Sequence, residues 1–415
     1  MRKTELLMPA SCLEVLKTAV IYGADAVYIG GELFGLRAKA KNFSKEDMQE
    51  GIRFAHEHGR KVYVTANITA HNRDLPGIEA YFEEMKAMKP DALIISDPGV
   101  FMTAKRVCPE IDRHISTQAN SVNYEDYLFW HQMGAKRIVG ARELSLKETA
   151  EIRAHIPDDC EMEAFVHGAM CISYSGRCLL SNYFTGRDAN LGACTHPCRW
   201  RYSIVEETRP GQYLPVEENE RGTYIFNSCD LCMIDHIPDL IGAGIDSFKI
   251  EGRMKTALYV AVTARAYRRA LDDFRKDPAL YEEKKASYLA EVKECTYRPF
   301  STGFYYGRPD DSAQIYDNNT YISRYIYLGL VYGMTEDGFC RMEQRNKFSV
   351  GDEVTAILPD GRNLDLTVKA MHDAEGVPME SCPHPQQEFY VDLGCQLTPC
   401  TVLRKKAAEG EDADI

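Results

Sequence analysis

The sequence has no apolar run approaching the length of a bilayer-spanning helix, and Met1 to Ser11 lacks the apolar stretch of a secretory leader. These absences exclude a membrane protein and predict a cytosolic one. A cationic surface is missing too. With 49 Lys and Arg against 62 Asp and Glu, the 415 residues carry a formal charge of −13, which excludes a chain coated for non-specific nucleic-acid binding but leaves room for a local basic rim. Two hydrolytic signatures are also absent. There is no nucleophile elbow, and His56-Glu57-His58 lacks the helical spacing of a zinc-protease ligand pair.

Cysteine, by contrast, is plentiful, with 14 in the chain. In a reducing compartment a disulfide framework is excluded, so clustered cysteines read as metal ligands or redox groups and scattered ones, such as Cys12, Cys108 and Cys340, as small buried hydrophobes. Eight short β-rich runs recur in the first 250 residues: Glu5 to Pro9, Ala26 to Gly30, Lys61 to Asn67, Ala92 to Asp97, His114 to Gln118, Arg137 to Ala141, Glu161 to His167 and Ser247 to Glu251. Amphipathic stretches alternate with them, opened by cap signals at Ser44 and at Ser145 with Glu148. Eight strands alternating with helices predict a closed parallel α/β barrel of the TIM type over residues 1–275, with an open doubly wound sheet as the competitor.

One connection is overlong. Residues 168–246, between the seventh and eighth runs, form a cysteine-rich insertion, and in such barrels the loops after the strands build the functional face. Residues 276–320 read as a helix and linker, 321–406 as a small β-barrel domain of short strands and tight turns, and 407–415 as a disordered acidic tail.

The insertion holds Cys171, Cys178, Cys194, Cys198, Cys229 and Cys232. Four thiolates suit an iron–sulfur cluster or zinc, and spacing alone leaves both open, because Cys194, Cys198, Cys229 and Cys232 form two close pairs like those of a zinc ribbon. The runs Glu163-Ala164-Phe165-Val166-His167-Gly168-Ala169-Met170-Cys171, Gly176-Arg177-Cys178, Gly192-Ala193-Cys194-Thr195-His196-Pro197-Cys198-Arg199-Trp200, Asp230-Leu231-Cys232 and Lys249-Ile250-Glu251-Gly252-Arg253 resemble the signature of the collagenase-like peptidase family U32. The resemblance covers the whole barrel. It implies an oxygen-independent hydroxylation protein with a 4Fe-4S cluster on Cys171, Cys178, Cys194 and Cys198, in the branch that forms 5-hydroxyuridine at the wobble position of transfer RNA with prephenate as possible co-substrate. Other branches act on ribosomal RNA or on ubiquinone precursors, the last as heterodimers with a related partner.

In a barrel, the strand ends bring Asn67, Asp97, Gln118, Arg142, Glu143, His167, Glu251 and Arg253 to one mouth. Candidate acids and bases are His167, Glu163 and, just past the third strand, His71. Candidate substrate-binding residues are Asn67, Gln118, Arg142, Arg199, Lys249, Glu251 and Arg253, the cations suiting phosphate or a carboxylate-rich molecule. Arg177, Arg187, Arg201, Lys255 and Trp200 extend a basic and aromatic patch near the insertion. The competing expectation is a peptidase with a cysteine nucleophile and His167 or His196 as base, although cluster ligation would use up its best thiols.

Overall fold

Strands buried on both faces need helices outside and a packed interior, and the short runs satisfy that demand by closing on themselves. In the computed structural model, which describes residues 3–31, 34, 42–171, 174–175, 177–187, 189, 194–199, 218–219, 222–223, 228–309 and 321–407, seven parallel strands pair in sequence order. They are β1 (Glu5–Pro9), β2 (Ala26–Gly30), β3 (Lys61–Ala66), β4 (Ala92–Ile95), β5 (Asp112–Ile115), β6 (Arg137–Val139) and β7 (Glu161–Ala169). A short strand β8 (Asp230–Cys232) comes next, and then β9 (Ser247–Ile250), which pairs in parallel with both β1 and β7 and so closes an eight-stranded barrel.

The outer helices begin where the sequence signals them. Ser44 accepts from the Asp47 amide to start α2 (Lys45–Glu57), which comes after α1 (Leu13–Ile21), and Ser145 with Glu148 forms a capping box at α6 (Leu146–His155). Between them lie α3 (Leu75–Met88), α4 (Pro98–Val107) and α5 (Tyr124–Met133). Two expected strand ends are turns instead. Asp97 accepts from the amides of Gly99 and Val100 and caps α4, while Ser116 starts a 3-10 turn, Thr117–Ala119, that takes Gln118 out of the strand.

The barrel interior is only partly apolar. Leu7, Ala26, Tyr28, Tyr63, Ala92 and Ile94 form one small cluster. Charged groups lie against it: the Arg137 guanidinium reaches Glu5 at 2.5 Å, Glu161 at 2.7 Å and Glu163 at 3.1 Å, and Glu163 receives Lys249 at 2.6 Å. The Lys249 ammonium also lies 4.6 Å from the centroid of the Tyr28 ring.

The long connection adds to the barrel rather than hanging from it. Strand β8 runs antiparallel to the outer end of β7, pairing Asp230 with Ala169 and Cys232 with His167. β10 (Phe300–Ser301) then runs parallel to β8, and the buried Arg298 side chain donates to Asp230 at 2.7 and 3.0 Å. The remaining helices of this part are α7 (Leu180–Thr185), before β8, and α8 (Ile237–Gly242), α9 (Ala257–Lys276) and α10 (Pro278–Val292), after it.

The C-terminal unit is a seven-stranded antiparallel sheet: β11 (Tyr325–Met334), β12 (Cys340–Glu343), β13 (Glu353–Ile357), β14 (Asn363–Thr367), β15 (Ala370–Asp373), β16 (Glu388–Asp392) and β17 (Val402–Lys406). Its order, β14-β13-β17-β11-β12-β16-β15, makes a half-barrel around its own core of Leu328, Phe348, Phe389 and Leu403. The tail expected to be disordered lies, apart from Ala407, outside the described residues.

This sheet docks on α1 and α9 through buried polar contacts. The Tyr22 hydroxyl, just past α1, donates to the Ile357 carbonyl at 2.6 Å and accepts from the Val402 amide at 3.3 Å. On α9, Arg265 donates to the Leu358 carbonyl at 2.9 Å while pairing with Glu291. Tyr22→Phe leaves buried backbone groups without their partner, at a cost of about 1–3 kcal/mol. A lower urea midpoint with an unchanged slope is expected, and an unchanged midpoint would show that the phenol does not hold the interface.

Candidate functional site

At the C-terminal ends of the strands, the backbone makes room for cations. Gly30 closes β2, and a Cβ there would lie 2.7 Å from Nη1 of Arg253, so glycine at this position lets the Arg253 guanidinium enter the mouth and donate to Thr65 Oγ1 at 3.0 Å. Arg142, from the loop after β6, lies over the Phe165 ring with its guanidinium carbon 4.0 Å from the centroid. It donates to the Ala169 carbonyl at 2.9 Å and to Glu251 at 3.3 Å, and its buried Nε has no hydrogen-bond partner among the described residues.

Beside it, burial raises the pKa of the Glu143 carboxyl despite the opposing charge of Arg142. Asn67 donates to Ser116 Oγ at 3.2 Å, which ties the ends of β3 and β5 together. Gly168 has φ +105°, and a Cβ there would meet the Glu251 carbonyl oxygen at 2.5 Å, so the close approach of β7 to the end of β9 requires glycine.

The structure therefore brings Asn67, Arg142, Glu143, Glu251 and Arg253 to the barrel's C-terminal end, with Thr65, Ser116 and Phe165 as members that sequence alternation had not singled out. Lys249 and Glu163 are buried inside the barrel and paired with each other, with Lys249 level with Phe165 in the strand register. His71 is an exposed loop residue whose amide donates to Asp74. Asp97 caps its helix, and Gln118 lies on the 3-10 turn that follows β5, next to Ser116. The Arg199 side chain lies outside the described residues, as do Arg201 and Trp200.

His167 faces away from the mouth. Lys249 pairs with Phe165 but Ile250 pairs with His167, so Val166 is an extra residue that reverses the facing of the residues after it. The imidazole turns outward and is enclosed by Tyr259, Tyr267 and Phe300, with ring centroids 6.0, 5.5 and 5.4 Å away. Burial lowers its pKa to about 4, against a smaller opposing pull from Asp230. A buried neutral ring away from the mouth is not placed for acid–base chemistry.

Its titration has a measurable consequence. The unfolded chain takes up this proton near the ordinary value of 6.5 and the folded chain only near 4. Stability is therefore complete above about pH 6.5 and declines as pH falls toward 4, by about 3 kcal/mol from this group. His167→Phe is expected to flatten denaturation midpoints across that interval. An equally steep decline in the variant would refute the assignment.

The six clustered cysteines divide by environment. Cys171 and Cys194 are exposed and Cys178 and Cys198 half-buried, on the loop after β7 and around α7. Local hydrogen bonds brace this segment: Ser181 Oγ accepts from the Thr195 amide at 3.0 Å, and Cys194 Sγ from the His196 amide at 3.4 Å. Cys229 and Cys232 are buried, and burial raises both pKa values, that of Cys232 to about 12. Buried thiols pack as small hydrophobes.

Four soft, accessible donors on the functional face fit an iron–sulfur cluster by their chemistry. As placed, no three His, Cys, Asp or Glu among the described residues converge closely enough to hold an ion, so the fit rests on donor type and location. No helix among the described residues is long and apolar enough to cross a membrane.

The family models match the same division into barrel and half-barrel. Peptidase family U32 matches residues 11–315, and its C-terminal domain matches residues 323–404. The chain is 39% identical over 405 residues to tRNA hydroxylation protein P1 of Bacillus subtilis (strain 168), spanning 97% of this chain and 95% of that protein. It is 39% identical over 423 residues to tRNA hydroxylation protein P of Escherichia coli (strain K12), with 92% of each covered. A 23S rRNA 5-hydroxycytidine synthase of Escherichia coli (strain K12) is 37% identical over 270 residues, 65% of this chain and 39% of that protein. With both domains matched, the chain belongs to peptidase family U32.

Proposed function

We propose that this chain is an RNA hydroxylation enzyme that forms 5-hydroxyuridine at the wobble position of transfer RNA by an oxygen-independent route. The observation that carries the reading is the 39% identity over 97% of the chain to a tRNA hydroxylation protein, which includes the half-barrel as well as the barrel. Hydroxylation replaces a C–H bond by C–OH, a two-electron oxidation that draws its oxygen atom and its final electron acceptor from outside the chain, and a 4Fe-4S cluster held by Cys171, Cys178, Cys194 and Cys198 would pass the electrons on one at a time when bound.

The chain's own residues bind and orient. Arg142 and Arg253 present guanidinium groups at the mouth, and the unpartnered Nε of Arg142 is a donor available to an anion, either a phosphate or a dicarboxylate co-substrate such as prephenate. Glu143, whose carboxyl keeps its proton more readily than an exposed one, holds or moves a proton there. Lys249 and Glu163 pair inside the barrel. A uridine reaches such a mouth only when splayed out of its stack, which an unpaired anticodon loop permits.

Enclosure of His167 among Tyr259, Tyr267 and Phe300 counts against a peptidase that would use it as base. Ribosomal RNA is the second reading, favoured by the likeness to the rRNA 5-hydroxycytidine synthase. Mass spectrometry of nucleosides from transfer and ribosomal RNA, in cells with and without this chain and any paralogue, separates the two. Loss of 5-hydroxyuridine from transfer RNA is expected. Loss of a hydroxylated ribosomal nucleoside alone would transfer the function to ribosomal RNA.

A further inference from the structure

Large apolar side chains exposed singly need no explanation, but a cluster of them does. Four of the twelve exposed large hydrophobics among the described residues fall between Tyr174 and Phe184: Tyr174 at 43%, Leu179 at 67%, Tyr183 at 81% and Phe184 at 46%. Tyr183 and Leu179 are the two most exposed of the twelve. Tyr183 and Phe184 lie on α7, between Cys178 and Cys194, with Leu179 at its N-terminal cap and Tyr174 on the loop before it.

One side of this short helix is fixed. Ser181 is buried and bonded to Thr195, and Thr185 Oγ1 donates to the Ser181 carbonyl at 2.6 Å. The other side holds Tyr183 and Phe184 toward solvent, their rings edge to face at 5.1 Å. Exposed Arg177 and Arg187 flank it. Residues 171–199 contain three arginines and a single acid, Asp188, within a chain of net charge −13, so the local sign opposes the global one.

We propose that Tyr183 and Phe184 form a stacking platform for unpaired RNA bases next to the target nucleotide, with Arg177 and Arg187 meeting the phosphates. Aromatic rings stack on any base, whereas the cationic flanks select a polyanion, and together they describe a single-stranded RNA loop rather than a duplex. The platform sits on the segment that carries the cysteines, so an RNA loop held there is delivered beside the proposed redox centre. This inference rests on the RNA hydroxylation reading and names its recognition surface.

The test uses the full chain purified without oxygen, with a synthetic RNA hairpin bearing an unpaired uridine-containing loop and a fully paired duplex as probes. Tyr183→Ala with Phe184→Ala is expected to weaken hairpin binding by about tenfold or more, with iron content and circular dichroism unchanged and the salt dependence of binding nearly preserved. Tyr183→Trp should retain affinity. Arg187→Gln should lower the slope of log affinity against log salt by about one. Wild-type hairpin affinity in the double variant would overturn the platform, as would equal losses for hairpin and duplex. So would unchanged RNA affinity with altered self-association, which would assign the patch to a second copy of the chain. In a deletion strain, failure of the wild-type chain to restore hydroxyuridine overturns the function reading. Restoration by wild type and double variant alike, with equal affinities, overturns the platform alone.

Discussion

Arg137→Ala is expected to cost about 3–5 kcal/mol, a large fraction of the roughly 5–15 kcal/mol that holds a domain folded. The guanidinium is buried inside the barrel among Glu5, Glu161 and Glu163, and its carbon lies 5.3 Å from the centroid of the Tyr63 ring. Removing it leaves Glu5 with Tyr63 and Ser247 as donors, and Glu163 with Lys249, but no cation between the carboxylates. Arg137→Lys should recover part of the loss, because an ammonium supplies charge without the fork that serves three carboxylates.

The same cluster sets acid sensitivity. Burial works against ionisation of Glu5, yet the charge and hydrogen bonds of Arg137, with Tyr63 and Ser247, prevail and hold its pKa below the ordinary 4.5. A carboxylate with a lowered folded-state pKa stabilises the fold above its unfolded value and loses that contribution as pH falls through the folded one. Denaturation midpoints of wild type should therefore drop below about pH 4.5 through this group. Soluble yield and circular dichroism of Arg137→Ala decide the main point, and a variant as stable as wild type would mean that the charged interior contributes nothing.

The second large effect concerns the cluster. Wild type purified without oxygen is expected to be brown, with iron and sulfide at about four each per chain, and Ala at Cys171, Cys178, Cys194 or Cys198 should abolish the colour and the modification. Cys171 and Cys194 are exposed, so their replacement costs little in packing, and an intact dichroism spectrum distinguishes ligand loss from unfolding. Cys229→Ala should keep the iron, since this buried thiol lies outside the four-cysteine set. Stoichiometric zinc bound through Cys229 and Cys232 would contradict the assignment.

The barrel was legible because its strands are buried on both faces and read as separate apolar runs, while cap residues such as Ser44 and Ser145 mark the helices between them. Facing was less legible. Alternation along Glu161, Glu163 and Phe165 points His167 into the mouth, and only the pairing of Ile250 with His167 reveals the bulge that turns it out.

The charged interior carried no signal in the sequence: Arg137 opens the sixth run, and only the parity of β6 sends it inside, where carboxylates from β1 and β7 converge. Thr65, Ser116 and Phe165 carry no signal apart from their position on strand ends. The half-barrel was legible as short strands with tight turns, whereas its order comes from pairings between β17, β13 and β11 that lie far apart in the chain.

The central claim is that this U32 chain hydroxylates transfer RNA through its four-cysteine insertion. Complementation tests it most directly: 5-hydroxyuridine in transfer RNA is quantified by mass spectrometry in a strain lacking this chain and its paralogues, then supplied with wild type or with Cys171→Ala. Restoration by wild type and background levels with the variant are the predicted result. Equal restoration by both, or none by wild type, would contradict it.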